Sequence, residues 1–306
     1  MKKLTTLLFV LVFAGATAFA QNNTATVGQT GNDNDATVTQ AGADNSGDIT
    51  QDATLGNGNF ATIDQLTSDN DATIGQVGNS DAEITQMGGN GNSADISQDG
   101  TFDRTYNSYG QTIRNYYGII SQDGALNDAD IIQVGGSGAV EITQTGDENI
   151  AVHDQGTDGY GKTYIGATIT QNGLSNEAYQ DKQSTGGVMS MDITQTGDDN
   201  VANQDLSQDR YLQGNNMDII QTGNLNEATQ TVWSLDAWGV SGNAFTITQT
   251  GGDYNIAVQT ANDNSNTLGI TQTGSFNDAT QTAVTAGNMS TVTQAGSGNV
   301  AVTLQQ

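Results

Sequence analysis

A twelve-residue phrase recurs along this chain with shared ends. It reads Q-x-G-x-x-N-x-A-x-x-x-Q in QTGNDNDATVTQ (Gln29 to Gln40), QDGALNDADIIQ (Gln122 to Gln133), QTGDENIAVHDQ (Gln144 to Gln155) and QAGSGNVAVTLQ (Gln294 to Gln305), so the next unit begins eleven residues on. A short fixed period means stacked copies of one supersecondary unit. A stack grows by addition and needs no second core, which overrides the two-domain prior that 306 residues would carry. Function then belongs to a surface and two ends rather than to a pocket.

Counting each unit from its leading glutamine as zero, glycine falls at +2: Gly31, Gly42, Gly78, Gly88, Gly100, Gly124, Gly135, Gly146, Gly173, Gly197, Gly223, Gly251, Gly274 and Gly296. Small polar residues follow, which is turn chemistry. Asparagine comes at +5 (Asn34, Asn127, Asn149, Asn299), alanine at +7, valine or isoleucine at +9 and the next glutamine at +11. These odd offsets share one face of an extended strand, while the even offsets carry Asp, Thr, Ser and Glu. Alternation of this kind predicts strands. The predicted fold is all-β: a β-solenoid of strand-turn-strand rungs, about 22 residues each and roughly 12 in number, stacked ~4.8 Å apart over ~58 Å. In such a stack each interior amide meets a like amide above and below. The amides that define the beat are Gln29, Gln40, Gln51, Gln76, Gln98, Gln122, Gln133, Gln144, Gln155, Gln171, Gln195, Gln221, Gln249, Gln272, Gln294 and Gln305. Their ladders satisfy groups that would cost roughly 1–3 kcal/mol each if buried alone.

The beat divides the chain. Residues 1–20 stand apart: Lys2 and Lys3, an apolar run from Leu7 to Phe13, and Ala18-Phe19-Ala20 before Gln21. This predicts a secretory signal peptide cut between Ala20 and Gln21. Residues 21–306 form the solenoid, with the tight beat over 21–155 and longer connections over 156–306. In that second part NEAYQ (176–180), NVANQ (200–204), NEATQ (226–230) and NDATQ (277–281) place glutamine at +9, still on the inward parity. Arg104, Arg114, Lys162, Lys182 and Arg210 fall at or beside connections, as do Phe102, Tyr106, Tyr109, Tyr116, Tyr117, Tyr160, Tyr164, Tyr211, Trp233 and Trp238. They predict surface loops, with a specific contact surface as the alternative.

Thirty-four acidic residues face seven basic ones, and losing Lys2 and Lys3 with the leader takes the formal charge from −27 to about −29. Phosphate must be neutralised by Lys or Arg, so nucleic acid and anionic membrane surfaces are poor partners. No stretch beyond the leader is apolar enough to span a bilayer. Cysteine is absent, which excludes disulfides and thiolate metal sites, and so is proline, in keeping with stacked strands.

The motif after a secretory leader closely resembles the curlin repeat of bacterial curli subunits, from Gln29 to Gln305. The resemblance implies export through a dedicated outer-membrane pore and self-polymerisation into cell-surface amyloid fibres of the biofilm matrix. It also implies an assembly nucleator and export machinery as partners, and no cofactor. The familiar subunits are shorter and more uniform in their connections, which leaves open whether this chain is a main subunit, a nucleator or an accessory one.

Rival readings weigh less. His153, the single histidine, sits at +9 where its neighbours carry Ile or Val, and is read as an interior residue rather than a catalytic or metal one. No nucleophile elbow, phosphate loop or Cys/His cluster is present, so no enzyme is predicted. A secreted calcium-binding β-roll is the alternative, on the strength of Gly88–Ser93 and the acidic turn Asp198-Asp199-Asn200. An adhesin segment is another. An ice-binding face would need unbroken Thr-x-Thr rows, and the row fails at Asp48/Thr50 and Glu83/Thr85.

Overall fold

The computed structural model describes residues 22–54, 58–99, 116–134, 137–156, 163–184, 187–208, 214–234, 242–263 and 265–306. The first rungs are β1 (Thr24–Gly31), β2 (Asp35–Gln40), β3 (Ser46–Ala53), β4 (Phe60–Gln65), β5 (Asp71–Val77), β6 (Ser80–Gly88), β7 (Ser93–Asp99) and β8 (Tyr116–Gly124). The middle holds β9 (Asp128–Val134), β10 (Ser137–Thr145), β11 (Ile150–Gly156), β12 (Thr163–Asn172), β13 (Glu177–Ser184), β14 (Gly187–Thr196), β15 (Val201–Gln208) and β16 (Asn215–Thr222). The last are β17 (Glu227–Ser234), β18 (Ala244–Thr250), β19 (Ile256–Ala261), β20 (Thr267–Thr273), β21 (Asp278–Ala283), β22 (Met289–Ala295) and β23 (Val300–Gln305).

Odd strands form one twelve-stranded sheet and even strands a second, eleven-stranded sheet, both in sequence order. Every pairing is parallel and joins strands two apart in sequence, as in β1 with β3 and β2 with β4. This is a β-solenoid in which consecutive strands alternate between facing sheets. Eleven full rungs and one further strand stand against the roughly twelve that the repeat predicts.

Burial alternates along each strand, as in β4 and β18. The odd offsets are inside. Isoleucines, alanines and, in the later strands, Met191, Leu206, Met217, Val232, Phe245 and Leu268 make one continuous core, from Ile49 and Ala61 to Ala283 and Val292. Alanine stands two residues before the isoleucine in strands such as β4 to β7, and Met191, Met217, Phe245 and Leu268 take that place in later strands of the even sheet.

The two corners of the solenoid differ. The turn from an even strand to the next odd strand is short and nearly uniform. Its glycine at +2 and its residue at +4 are both left-handed, as with Gly146 (φ 103°) and Glu148 (φ 58°). A Cβ on Gly146 would lie 2.1 Å from the carbonyl oxygen of Gly173 one rung on, so stacked turns exclude a side chain there. The turn from an odd strand to the next even strand takes the length variation. β7 ends at Asp99 and β8 starts at Tyr116, so a long connection also lies outside residues 156–306.

Candidate assembly faces and amide ladders

In the even sheet, eleven glutamines at +11 form one column: Gln40, Gln65, Gln86, Gln122, Gln144, Gln171, Gln195, Gln221, Gln249, Gln272 and Gln294. Each Nε2 donates to the Oε1 of the next, at 2.8–3.0 Å throughout. The second N–H of each amide crosses to backbone carbonyls of the opposite sheet, as Gln144 does to Asp128 and Asn149. From Gln65 to Gln272 these side chains are fully buried, and their hydrogen-bonding capacity is met by neighbouring glutamines together with backbone carbonyls. Each such bond contributes about 1 kcal/mol, and a slip of one residue would forfeit the whole column.

A second column runs on the short corner, at +5 except for Asn92 and Asn255 at +6: Asn45, Asn70, Asn92, Asn127, Asn149, Asn176, Asn200, Asn226, Asn255, Asn277 and Asn299. Its direction is opposite. Asn70 donates through backbone N–H and Nδ2 to Asn45 Oδ1, and the pattern repeats up to Asn299 on Asn277. On the other corner Asn59 donates to Asn34 in the same sense. Glutamine columns thus point their donors away from β1, and asparagine columns point theirs toward it.

The odd sheet departs from the predicted like-on-like stack. Its column starts at +11 with Gln29, Gln51, Gln76, Gln98 and Gln133, linked at 2.8–3.0 Å. Gln155 of β11 pairs in register with Lys182 of β13, not with a glutamine, and His153 pairs with Gln180. From there the ladder continues two residues earlier, at +9, through Gln180, Gln204, Gln230, Gln259 and Gln281. At +11 those strands carry Leu206, Val232, Ala261 and Ala283. The ladder therefore changes phase between β11 and β13.

The change leaves buried atoms without partners: Gln133 Nε2, both amide atoms of Gln155, His153 Nε2 and Lys182 Nζ. His153 is interior, as its parity predicts, with Nδ1 3.1 Å from Gln180 Oε1, and burial holds its pKa down at about 4. Lys182 corrects the sequence reading. Its place beside a long connection groups it with the surface loops, yet its side chain is fully buried and burial pushes its ammonium down to about 7. Its parity in NEAYQDK, two residues beyond an inward glutamine, is the signal for this position.

Outward carboxylates stack as well. Asp95 lies beside Asp130, and Asp154, Asp181 and Asp205 follow one another in register. Partial burial and the neighbours Asp95, Asp128 and Asp154 raise Asp130 to about 6. Among the described residues no three His, Cys, Asp or Glu side chains converge to hold a metal ion, the acidic turn at 198–200 included.

At the ends the sheets are open. Val27 and Gln29 of β1 are exposed, Gln40 is half-buried, and Thr303 and Gln305 of β23 are half-buried. Gly31, Gly42, Gly78, Gly124, Gly146, Gly173, Gly197, Gly223, Gly251, Gly274 and Gly296 all take positive φ. Gly135, Ala20, Gln21 and most of the aromatic and basic connection residues lie outside the described residues, whereas Tyr117 and Trp233 are exposed on strands.

The family model described as Curlin associated repeat matches residues 20–42, 42–78 and 264–296. The chain carries curlin repeats. The matched stretches hold β1–β5 and β20–β22, where the +11 glutamines are regular in the even sheet and, at the start, in both sheets. The curlin matches leave out the middle, where the ladder changes phase. No curated protein matches the chain. Curlin repeats on a β-solenoid fit a curli-like structural subunit, and no described helix is long and apolar enough to cross a membrane.

Proposed function

We propose that this chain is the structural subunit of an extracellular, curli-like amyloid fibre that assembles end to end by strand stacking. The observation that carries the reading is the even-sheet column, in which eleven glutamines repeat one hydrogen bond from Gln40 to Gln294 without a break. A column of that kind has no intrinsic length. The edge strands β1 and β2 at one end and β22 and β23 at the other present unpaired backbone groups. A second copy set on either end extends both backbone and amide hydrogen bonding at the same ~4.8 Å step. The partner is the chain itself; a nucleator and an outer-membrane export pore belong to the proposal through the curlin repeat, as does a place on the bacterial surface. No chemical step is part of this function.

The test uses the chain from Gln21 on, which includes every described strand. Thioflavin fluorescence should rise with a lag that seeds abolish, and fibre diffraction should show the strand spacing along the fibre axis. A sample that stays monomeric and coil-like under all conditions would end the proposal.

A further inference from the structure

The odd sheet changes phase twice. The first change, between β11 and β13, lies inside the solenoid. The second lies at its end. From β13 through β21 the sheet keeps glutamine at +9, and from β15 on an apolar residue at +11, as in Gln281 and Ala283. In β23 these positions become Thr303 and Gln305, in register with Gln281 and Ala283. Neither continues the column beneath it. Gln281 Nε2 turns to Ser290 Oγ, Thr303 Oγ1 has no partner, and Gln305 Oε1 has none.

The new phase does match something: the other end of the same molecule. The inward residues of β1 are Ala25, Val27 and Gln29, and those of β2 are Ala36, Val38 and Gln40. Those of β23 are Ala301, Thr303 and Gln305, a small residue, a β-branched one and a glutamine in the same places. The even-sheet edge β22 already keeps that phase with Val292 and Gln294.

We infer that β23 is an adapter strand, written in the phase of the opposite face so that a second copy docks head to tail without a ladder fault. The inference rests on the end-to-end reading above and specifies its junction. Directionality agrees. Gln294 and Gln305 each give one N–H to a backbone carbonyl, of Asp278 and Met289, which leaves one N–H aimed onward. Glutamine acceptors lie at the opposite face, on Gln29 and Gln40, since every glutamine column donates away from it. The asparagine columns run the other way, so Asn299 offers an acceptor to an incoming N–H. Two identical faces would oppose donor to donor, whereas unlike faces complement one another, which is the heterologous contact that builds filaments.

Without the reset, an incoming strand would set valine on an amide and glutamine on alanine. That is the fault seen at Gln155 and Lys182, now placed between molecules. The adapter moves the mismatch to β21 and β23, where it forms during folding rather than at docking.

The test is Thr303→Gln with Gln305→Ala, which writes β23 in the phase of β21. The variant should fold and melt like wild type or better, because the introduced amide would stack on Gln281. Its seeded elongation should fall by about tenfold or more, the loss of roughly one buried amide pair. Its opposite face is intact, so it should still add to the matching end of wild-type seeds and then block it, slowing wild-type growth when present as a minor component. Elongation at the wild-type rate would overturn the adapter. So would slow elongation without any block of wild-type seeds, because the defect would then lie away from the junction. Wild-type chains that form no fibre would remove the assembly reading and this inference with it; wild-type fibres with normal growth of the variant would remove the adapter alone.

Discussion

Lys182 is a cation inside an interior whose only other buried titratable group, among the described residues, is His153. Replacing it with leucine, the residue that follows it in the column at Leu206, should stabilise the solenoid. The size of the effect comes from linkage. The ammonium moves from 10.5 to about 7 on folding. At about 1.4 kcal/mol per unit, that is a penalty of roughly 5 kcal/mol on the folded state whenever the lysine is charged in it. The smaller leucine gives back about 1 kcal/mol as a residual cavity. The net gain is roughly 3–4 kcal/mol at pH 6.

The sign with pH follows from the direction of the shift. Between about pH 7 and 10.5 the unfolded chain holds a proton that the folded chain has shed. Wild-type stability therefore rises with pH across that window, and below about pH 7 the penalty is complete. His153, held near 4, is neutral in the folded chain across this range, and the proton that its unfolded form takes up near pH 6 enters both proteins alike. Urea unfolding of monomers at pH 6, 8 and 9.5, with amide exchange of β11, β13 and β15 as the local readout, should show the advantage of the variant shrinking as pH rises. A Lys182→Leu chain less stable than wild type at pH 6, or an equal pH slope in the two, would refute the reasoning.

Gln221→Ala removes donations to Gln249, Val201 and Asn226 and strands the donor on Gln195; urea unfolding should show a loss of about 2–4 kcal/mol. Gly146→Ala should cost about 2 kcal/mol or more, because alanine is strained at φ 103° and its Cβ meets Gly173. Asp130, raised to about 6, binds a proton in the folded chain between about pH 3.8 and 6 that the unfolded chain has lost. Stability falls as pH climbs through that window, and Asp130→Asn should flatten the slope in a pH series of melting temperatures.

Much of the fold is legible because the chain states one rule many times. A period of eleven, with apolar residues and amides on odd offsets, admits only strands that stack, and it assigns the length variation to connections. Inward His153 is readable from parity alone. Lys182 is the place where composition misleads: a lysine beside a long connection reads as surface, while its parity points inward.

What the sequence determined by itself is each residue's side of its strand, since that depends on a backbone period of two and nothing distant. Which residue lies over which was decided by tertiary structure, because stacking joins positions 21 to 36 residues apart through connections of unequal length. Only in register does Gln155 meet Lys182 and Gln305 meet Ala283, and only there do the two amide columns acquire opposite directions.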